Sequence, residues 1–413
     1  MSLAAFRRDA LLVASQHVRL VLYELEHLGI AVEATPRGEV LPGVVRLHIT
    51  GRASPDVVVD EVRDRYAQKA GGFQPRLSPV HITAIGQPNV IGNPNAVVPK
   101  PARREFCRRS TNEGEGVVIA VIDTGIEPHR WLNGAYLARP SDFEEERTVV
   151  HDGTDYLGAQ AGHGVFLAGL VMQQAPGATV RVFKTANSNG ESDVDDVGAA
   201  IYRAAAGGAT IINLSLGLFT RNHRPPFALE TALSTIDRAK TIVVASAGNR
   251  RELRPFWPAA IPEVVAVGAL ALDNGTWRLA RYTNRGPWVD AYVPANDVLS
   301  TYIHYKGETL VRDEKTGRLS AIPVAYDEWA SWSGTSMAAA MWSGATARAA
   351  TERGVSAVEA ARILLHEPES VSFAHKLELA DDEQFEDGTL VPRRALVFDA
   401  AVGPVPLATR SCG

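Results

Sequence analysis

Apolar positions follow two different rhythms along this chain, one up to about residue 86 and another from residue 116. In the first stretch Ala10-Leu11-Leu12-Val13 predicts a strand. Val18, Val21, Leu22, Leu25 and Leu28 then recur at helical spacing, with Gly29 where a helix would stop. Ile30 to Ala34 and Val44 to Thr50 predict strands on either side of a Pro/Gly turn. Ser54-Pro55-Asp56 opens a second helix with Val58, Val62 and Tyr66 on one side, and Pro79 to Ile85 alternates as a last strand. The order β-α-β-β-α-β predicts a small ferredoxin-like α+β domain over residues 1–86.

Periodicity lapses over residues 87–114. Gln87-Pro88-Asn89, Gly92-Asn93-Pro94-Asn95 and Pro99-Lys100-Pro101 predict an exposed linker. Within it Arg103-Arg104 and Arg108-Arg109 read either as a processing site or as a solvated basic stretch. From Gly116 onward, Val117 to Ile122 is an apolar run ending in Asp123, the pattern of a buried parallel strand. Val180 to Phe183, Ile211 to Leu214, Ile242 to Ser246 and Val264 to Val267 repeat that pattern. Helical stretches at Val194 to Ala206 and Leu229 to Lys240 separate them. This alternation predicts an α/β domain over residues 115–402, with a mainly parallel sheet between helices, and a tail at 403–413. Ligands of such sheets bind at the carboxyl ends of the strands, where Asp123 and Asn249 stand.

Composition changes this picture little. The 413 residues are 46% hydrophobic and 22% charged, and the net charge of −5 is spread along the chain. Neither nucleic acid nor an anionic membrane is therefore an expected partner. Cys107 lies in the linker and Cys412 beside the C-terminus, neither placed as a nucleophile or metal ligand; a bridge between them stays open. After Arg7-Arg8 the apolar run Ala10 to Ala14 is too short for a leader, and no stretch reaches membrane-spanning length. The expectation is a soluble, cytoplasmic protein.

Candidate chemistry sits in three short blocks. They are Val121-Ile122-Asp123-Thr124-Gly125-Ile126, then Gly162-His163-Gly164, then Ser333-Gly334-Thr335-Ser336-Met337-Ala338. A carboxylate, an imidazole and a hydroxyl are the parts of a serine nucleophile system. Taken singly, each has a plainer reading. Asp123 could cap a helix, His163 could be a loop histidine, Asn249 a turn residue, and Ser336 a small residue at a helix contact. Taken together, in the order Asp…His…Ser, these blocks resemble those of subtilisin-like serine proteases (peptidase family S8).

Further blocks extend the resemblance over about residues 115–402. They include Asn213-Leu214-Ser215-Leu216-Gly217, Val243 to Asn249, Asn284-Arg285-Gly286-Pro287 and Ala395 to Ala401. The resemblance implies a subtilisin-like three-layer fold preceded by a pro-domain or regulatory domain. It also implies a serine endopeptidase acting through an acyl-enzyme, with Ser336 as nucleophile, His163 as general base and Asp123 orienting the histidine. Asn249 would supply the oxyanion hole. Ser215, Leu216, Gly217, Ser246, Ala247, Gly248 and Phe256 would line the substrate cleft. The implied partners are a protein or peptide substrate and the chain's own N-terminal domain as inhibitor. No cofactor is required and no metal ligands are assigned. Structural calcium stays open, since Glu144-Glu145-Glu146 and Asp193-Val194-Asp195-Asp196 show no clear ligand pattern. The alternative is a catalytically silent, peptide-binding pseudoprotease.

Several positions depart from the family pattern. Val165 replaces the usual Thr, and Ala339-Ala340 stand where Ser or Thr and then Pro are usual. Trp257-Pro258 matches an aromatic-Pro pair whose bond is cis in subtilisins. Phe256, at the pocket floor, would shorten the pocket if it points inward, and Arg250-Arg251 would bring positive charge to the pocket mouth. The charged run Asp381-Asp382-Glu383 is read as a solvated loop. Residues 302–331 form a charged insertion, read as a surface loop with substrate gating as the other reading.

Overall fold

The computed structural model of the chain describes residues 5–33, 38–51, 54–85, 98–102, 112–132, 134–312, 316, 318–377, 379 and 395–398. Its residues gather into two units. The smaller holds Met1–Thr83 with Ser192–Arg203 and Leu218–Ile236; the larger holds Ala84–Glu191, Ala204–Gly217 and Asp237–Gly413. Cys107, Cys412, the two Arg-Arg pairs and the 381–387 acidic run fall outside the described residues.

In the smaller unit an antiparallel sheet runs in the order Leu77–Ile85, Phe6–Ala14, Val44–Thr50, Ala31–Val32. Helices Val18–His27 and Pro55–Lys69 bury Val21, Leu25, Val58 and Val62 with Leu11, Val13, Leu47 and Leu77 of the sheet. Each such side chain contributes about 1.5–3 kcal/mol through burial. The α+β reading thus holds, with two local differences. The second strand is shorter than expected, and Glu39–Leu41 adds a strand beside Val44–Thr50. Buried Glu24 ties the two helices through Lys69 at 2.7 Å and Arg65 at 3.3 Å. Asp193 and Asp195 are likewise held in ion pairs, with Arg46 at 3.0 and 3.2 Å and, for Asp193, with Arg7 at 2.6 Å.

The larger unit is built on a sheet ordered Thr276–Leu279, Val264–Asp273, Ile242–Ser246, Ile211–Leu214, Val118–Asp123, Thr179–Lys184, Tyr136–Leu137. Its pairings are parallel apart from that of Thr276–Leu279. Strands rich in Val and Ile suit a sheet covered on both faces. Helices His163–Gln174 and Thr335–Arg353 pack within the core that includes Val121, Phe166, Val180, Ile211, Val244 and Trp342. The second of these is buried on every side, which its run of alanines allows.

Two sequence expectations need correction. The helix expected at Leu229 to Lys240 is Phe227–Ser234. The Asp237 side chain accepts the N–H of Ala239 at 3.1 Å and its carbonyl that of Lys240, a local turn that competes with helix. The 302–331 insertion is no loop. It lies in a long antiparallel hairpin of Val298–Arg312 with Leu319–Trp332. Val324 and Tyr326 are buried while Ala325 and Asp327 face water, so a strand period underlies the charged composition there, and Trp329 is buried beyond a register shift. The Trp257–Pro258 bond is cis. Among the described residues no helix is long and apolar enough to cross a membrane, and no cluster of three or more His, Cys, Asp or Glu could hold a metal ion.

Candidate active site

Asp123 ends the strand Val118–Asp123 and is fully buried. Its Oδ1 accepts the N–H of Thr124 at 2.8 Å and lies 2.8 Å from His163 Nδ1. An ionised carboxylate only accepts, so Nδ1 of the histidine carries the proton and Nε2 is left to act as a base. His163 opens the helix His163–Gln174 between two glycines, each needed for a physical reason. Gly162 has φ +74, and a Cβ there would lie 2.8 Å from the Tyr302 ring and 2.9 Å from Ile303. At Gly164 a Cβ would overlap the carbonyl of Gly125, just past Asp123. The strand end and the helix start can approach this closely only through glycine.

Ser336 is the second residue of the buried helix Thr335–Arg353. Its hydroxyl donates to the carbonyl of Ser215 at 3.3 Å. Asn249 Oδ1 accepts both the N–H and the hydroxyl of Thr335, each at 2.9 Å. A backbone N–H can only donate, so the amide oxygen is fixed there and Nδ2 faces the other way, as a donor. Thr335 in turn accepts the N–H of Gly248 at 3.0 Å. Beneath the serine a buried chain runs from Ser343 to Asn213 at 3.1 Å, on to Ser215 Oγ at 2.9 Å, and to the carbonyl of Ser336 at 3.1 Å. Every member of that chain is satisfied, which rigidifies the base of the site.

Ser215-Leu216-Gly217 and Ser246-Ala247-Gly248 form two buried walls. The Phe256 ring packs against both: a Cβ on Gly217 would overlap it, and one on Gly248 would lie 2.9 Å from it. Phe256 is 4% exposed, with its ring against Gly217 and Gly248. Asn284 shapes the second wall, donating to Ala247 O at 2.8 Å and accepting the N–H groups of Arg250 and Glu252 at 2.9 and 3.1 Å. Ala84 and Ile85 pair antiparallel with Gly217 and Leu216, and the Ile85 N–H donates to Gly190 O at 2.8 Å.

The structure places Asp123 against His163, and Asn249 against Thr335, the residue before Ser336. It adds residues the sequence did not single out. Trp332, at the end of the hairpin, meets the His163 ring edge-on at 5.2 Å and Phe166 at 5.7 Å. Thr335 and Asn213 gain their roles only from partners far away in the chain. A polar Asn213 inside the apolar run Ile211-Ile212-Asn213-Leu214 was the one available signal.

The Peptidase_S8 model, described as the Subtilase family, matches residues 114–372. The thermophilic serine proteinase of Bacillus sp. (strain AK1) is 30% identical over 232 residues, 53% of this chain and 55% of that protein. Subtilisin Savinase of Lederbergia lenta is 29% identical over 198 residues, 46% of this chain and 67% of that protein. Among solved structures, fervidolysin from Fervidobacterium pennivorans, a keratinolytic enzyme related to subtilisin, superposes with a TM-score of 0.62 at 20% identity. That match covers 97% of this chain and 62% of fervidolysin. The chain thus spans little more than half the length of some of these relatives, and the likeness to fervidolysin is one of fold.

Proposed function

Because the chain belongs to the subtilase family of serine peptidases, we propose that it is an endopeptidase that cleaves protein substrates through an acyl-enzyme on Ser336. The observation that carries this reading is the buried Asp123–His163 pair at 2.8 Å. Ser336 Oγ attacks the scissile carbonyl while His163 Nε2 takes its proton and later gives it to the leaving amine. Asp123 keeps the histidine in the right tautomer and stabilises the imidazolium. Asn249 Nδ2 and the N–H of Ser336 donate to the oxyanion. A donor of this kind contributes about 2.7–4 kcal/mol in the handled step in subtilisin. Val165, Ala339 and Ala340, which depart from the family pattern, are buried helix residues. They carry no proton in this scheme, so the silent-protein reading gains nothing from them.

Ala84-Ile85, held within the larger unit as an added strand along Leu216-Gly217, supports a pro-domain role for the region that precedes it in the sequence. Ser336 Oγ rests on the carbonyl of Ser215, the residue before Leu216. Ile85 pairs with Leu216, the residue next to Ser215, and Gly86 follows Ile85 in the sequence. We therefore expect self-cleavage shortly after Ile85, with Gly86–Gln87 the favoured bond. Intact mass of the purified chain should show that cut in the wild type and not in Ser336→Ala. An uncut, fully active chain would make the N-terminal region a permanent accessory domain.

The Phe256 ring, packed against Gly217 and Gly248, supports a shallow primary pocket that selects small P1 residues. Phe256→Gly is expected to raise kcat/KM on Phe or Tyr at P1 by about tenfold or more. Removing a buried Phe costs about 3–5 kcal/mol of stability, so the comparison belongs well below the variant's Tm. A wild-type peptide-library profile dominated by aromatic P1 would contradict this assignment.

A further inference from the structure

Three glutamates occur in succession at 144–146, and only the first is buried, at 3% exposure. Glu144 Oε2 accepts the N–H of Gly162 at 2.9 Å and the hydroxyl of Thr124 at 3.3 Å. Thr124 Oγ1 in turn accepts the N–H of Gly164 at 3.1 Å. The residues on both sides of His163 are thus tied, through Glu144 and Thr124, to the strand end that carries Asp123. These bonds also take up two N–H donors that a helix start leaves unsatisfied. Glu144 is anchored by its own backbone, whose N–H donates to Ile126 O at 3.0 Å. Its Oε1 is buried with no hydrogen-bond partner.

We propose that Glu144 is a positioning residue for His163, holding the histidine's flanking backbone and sensing, through its own charge state, the imidazolium formed during the reaction. This rests on the protease reading only for the reaction step; the hydrogen-bond network stands without it.

The charged groups around Glu144 set the sign of the effect. Asp123 lies on the neighbouring strand end, and Glu127 follows it, paired with Arg147 at 3.2 Å. Lys184 lies beside Phe143, reaching its carbonyl at 3.5 Å. On the hairpin, Tyr302 donates to Ala161 O at 2.7 Å, and burial above all keeps its phenol protonated. Burial first, and the Glu127 and Asp123 carboxylates, push the Glu144 carboxyl up to about 8, against the Gly162 N–H and the Thr124 hydroxyl, which pull it down. Near neutrality Glu144 is therefore a neutral acid. Above pH 8 it places a negative charge on the carboxylate bonded to the N–H of Gly162, the residue before His163, whose imidazolium exists in the transition state and not in the resting enzyme. Its ionisation then favours the transition state, and kcat/KM rises.

The test compares pH profiles of kcat/KM, on a peptide with a small P1 residue, for the full chain, Glu144→Gln and Glu144→Ala. Gln keeps a carbonyl acceptor for Gly162 and Thr124 but cannot ionise. Glu144→Gln should stay within about threefold of wild type at pH 7 and remain flat where wild type climbs about fivefold between pH 7 and 9. Glu144→Ala should lose at least about tenfold in kcat at every pH, with KM little changed. A Glu144→Gln profile that superimposes on wild type overturns the proposal, as does a fully active Glu144→Ala. Histidine-labelled Ser336→Ala protein gives a readout that needs no activity. The His163 ring signals should show a step near pH 8 that vanishes with Glu144→Gln, and its absence overturns the proposal. That step together with an inactive wild type would instead fault the protease reading alone.

Discussion

Replacing Ser336 with alanine is expected to lower kcat for peptide hydrolysis by about a millionfold, and His163→Ala by nearly as much. In subtilisin either loss costs about as much as removing the whole triad, because nucleophile and base act as one unit. The physical ground here is that Ser336 is the second residue of a helix buried from Thr335 to Ala347, with its carbonyl accepting from Ser215 Oγ and the preceding Thr335 bonded to Asn249. Deleting one hydroxyl leaves those contacts in place, so the folded state and its Tm should be unchanged. The check is single-turnover hydrolysis of an activated peptide ester beside thermal melts. Substantial turnover in either variant would mean that another group carries the chemistry.

Asp123→Asn is expected to cost about 10^4-fold in kcat. Asp123 Oδ1 serves both donors, the N–H of Thr124 and Nδ1 of His163. An asparagine that turns its NH2 to Nδ1 forces the histidine into the other tautomer, which is how the same change acts in a serine protease triad. What it cannot supply is the negative charge that stabilises imidazolium in a site closed to water. The loss in this variant thus counts the lost charge and the wrong tautomer together. Steady-state kinetics at saturating peptide would settle the size, and a fall of less than about tenfold would contradict this role for the carboxylate.

Much of the architecture was legible because its causes are local. Val and Ile runs such as Val117 to Ile122 announce strands buried on both faces, and Val18, Val21, Leu22 and Leu25 announce a helix by spacing alone. The reactive blocks were legible for another reason: the chemistry demands a carboxylate, an imidazole and a hydroxyl among small residues. Gly164 illustrates this, since a Cβ there would overlap Gly125 O. What was hidden depends on distant partners. The hairpin at Val298–Arg312 and Leu319–Trp332 was masked by its charges, although Val324 and Tyr326 keep a strand period up to the register shift opposite Asp327 and Trp329. Trp332 acquires significance only by meeting His163, 169 positions earlier in the chain. Glu144 stood in a run of three acids with no clear ligand pattern, and only folding separates it from Glu145 and Glu146 by burying it. The Phe227–Ser234 helix stopped early because Asp237 builds its own turn, a side-chain effect that periodicity does not register.

Labelling with a fluorophosphonate probe, read by intact mass and peptide mapping, tests the central claim most directly. An assembled Asp123–His163–Ser336 site turns Ser336 into a nucleophile that an isolated serine hydroxyl is not. One phosphonyl adduct per chain on Ser336, absent from Ser336→Ala and strongly slowed in His163→Ala, is the expected result. A folded chain in which Ser336 stays unmodified, or is modified equally well without His163, would contradict the account.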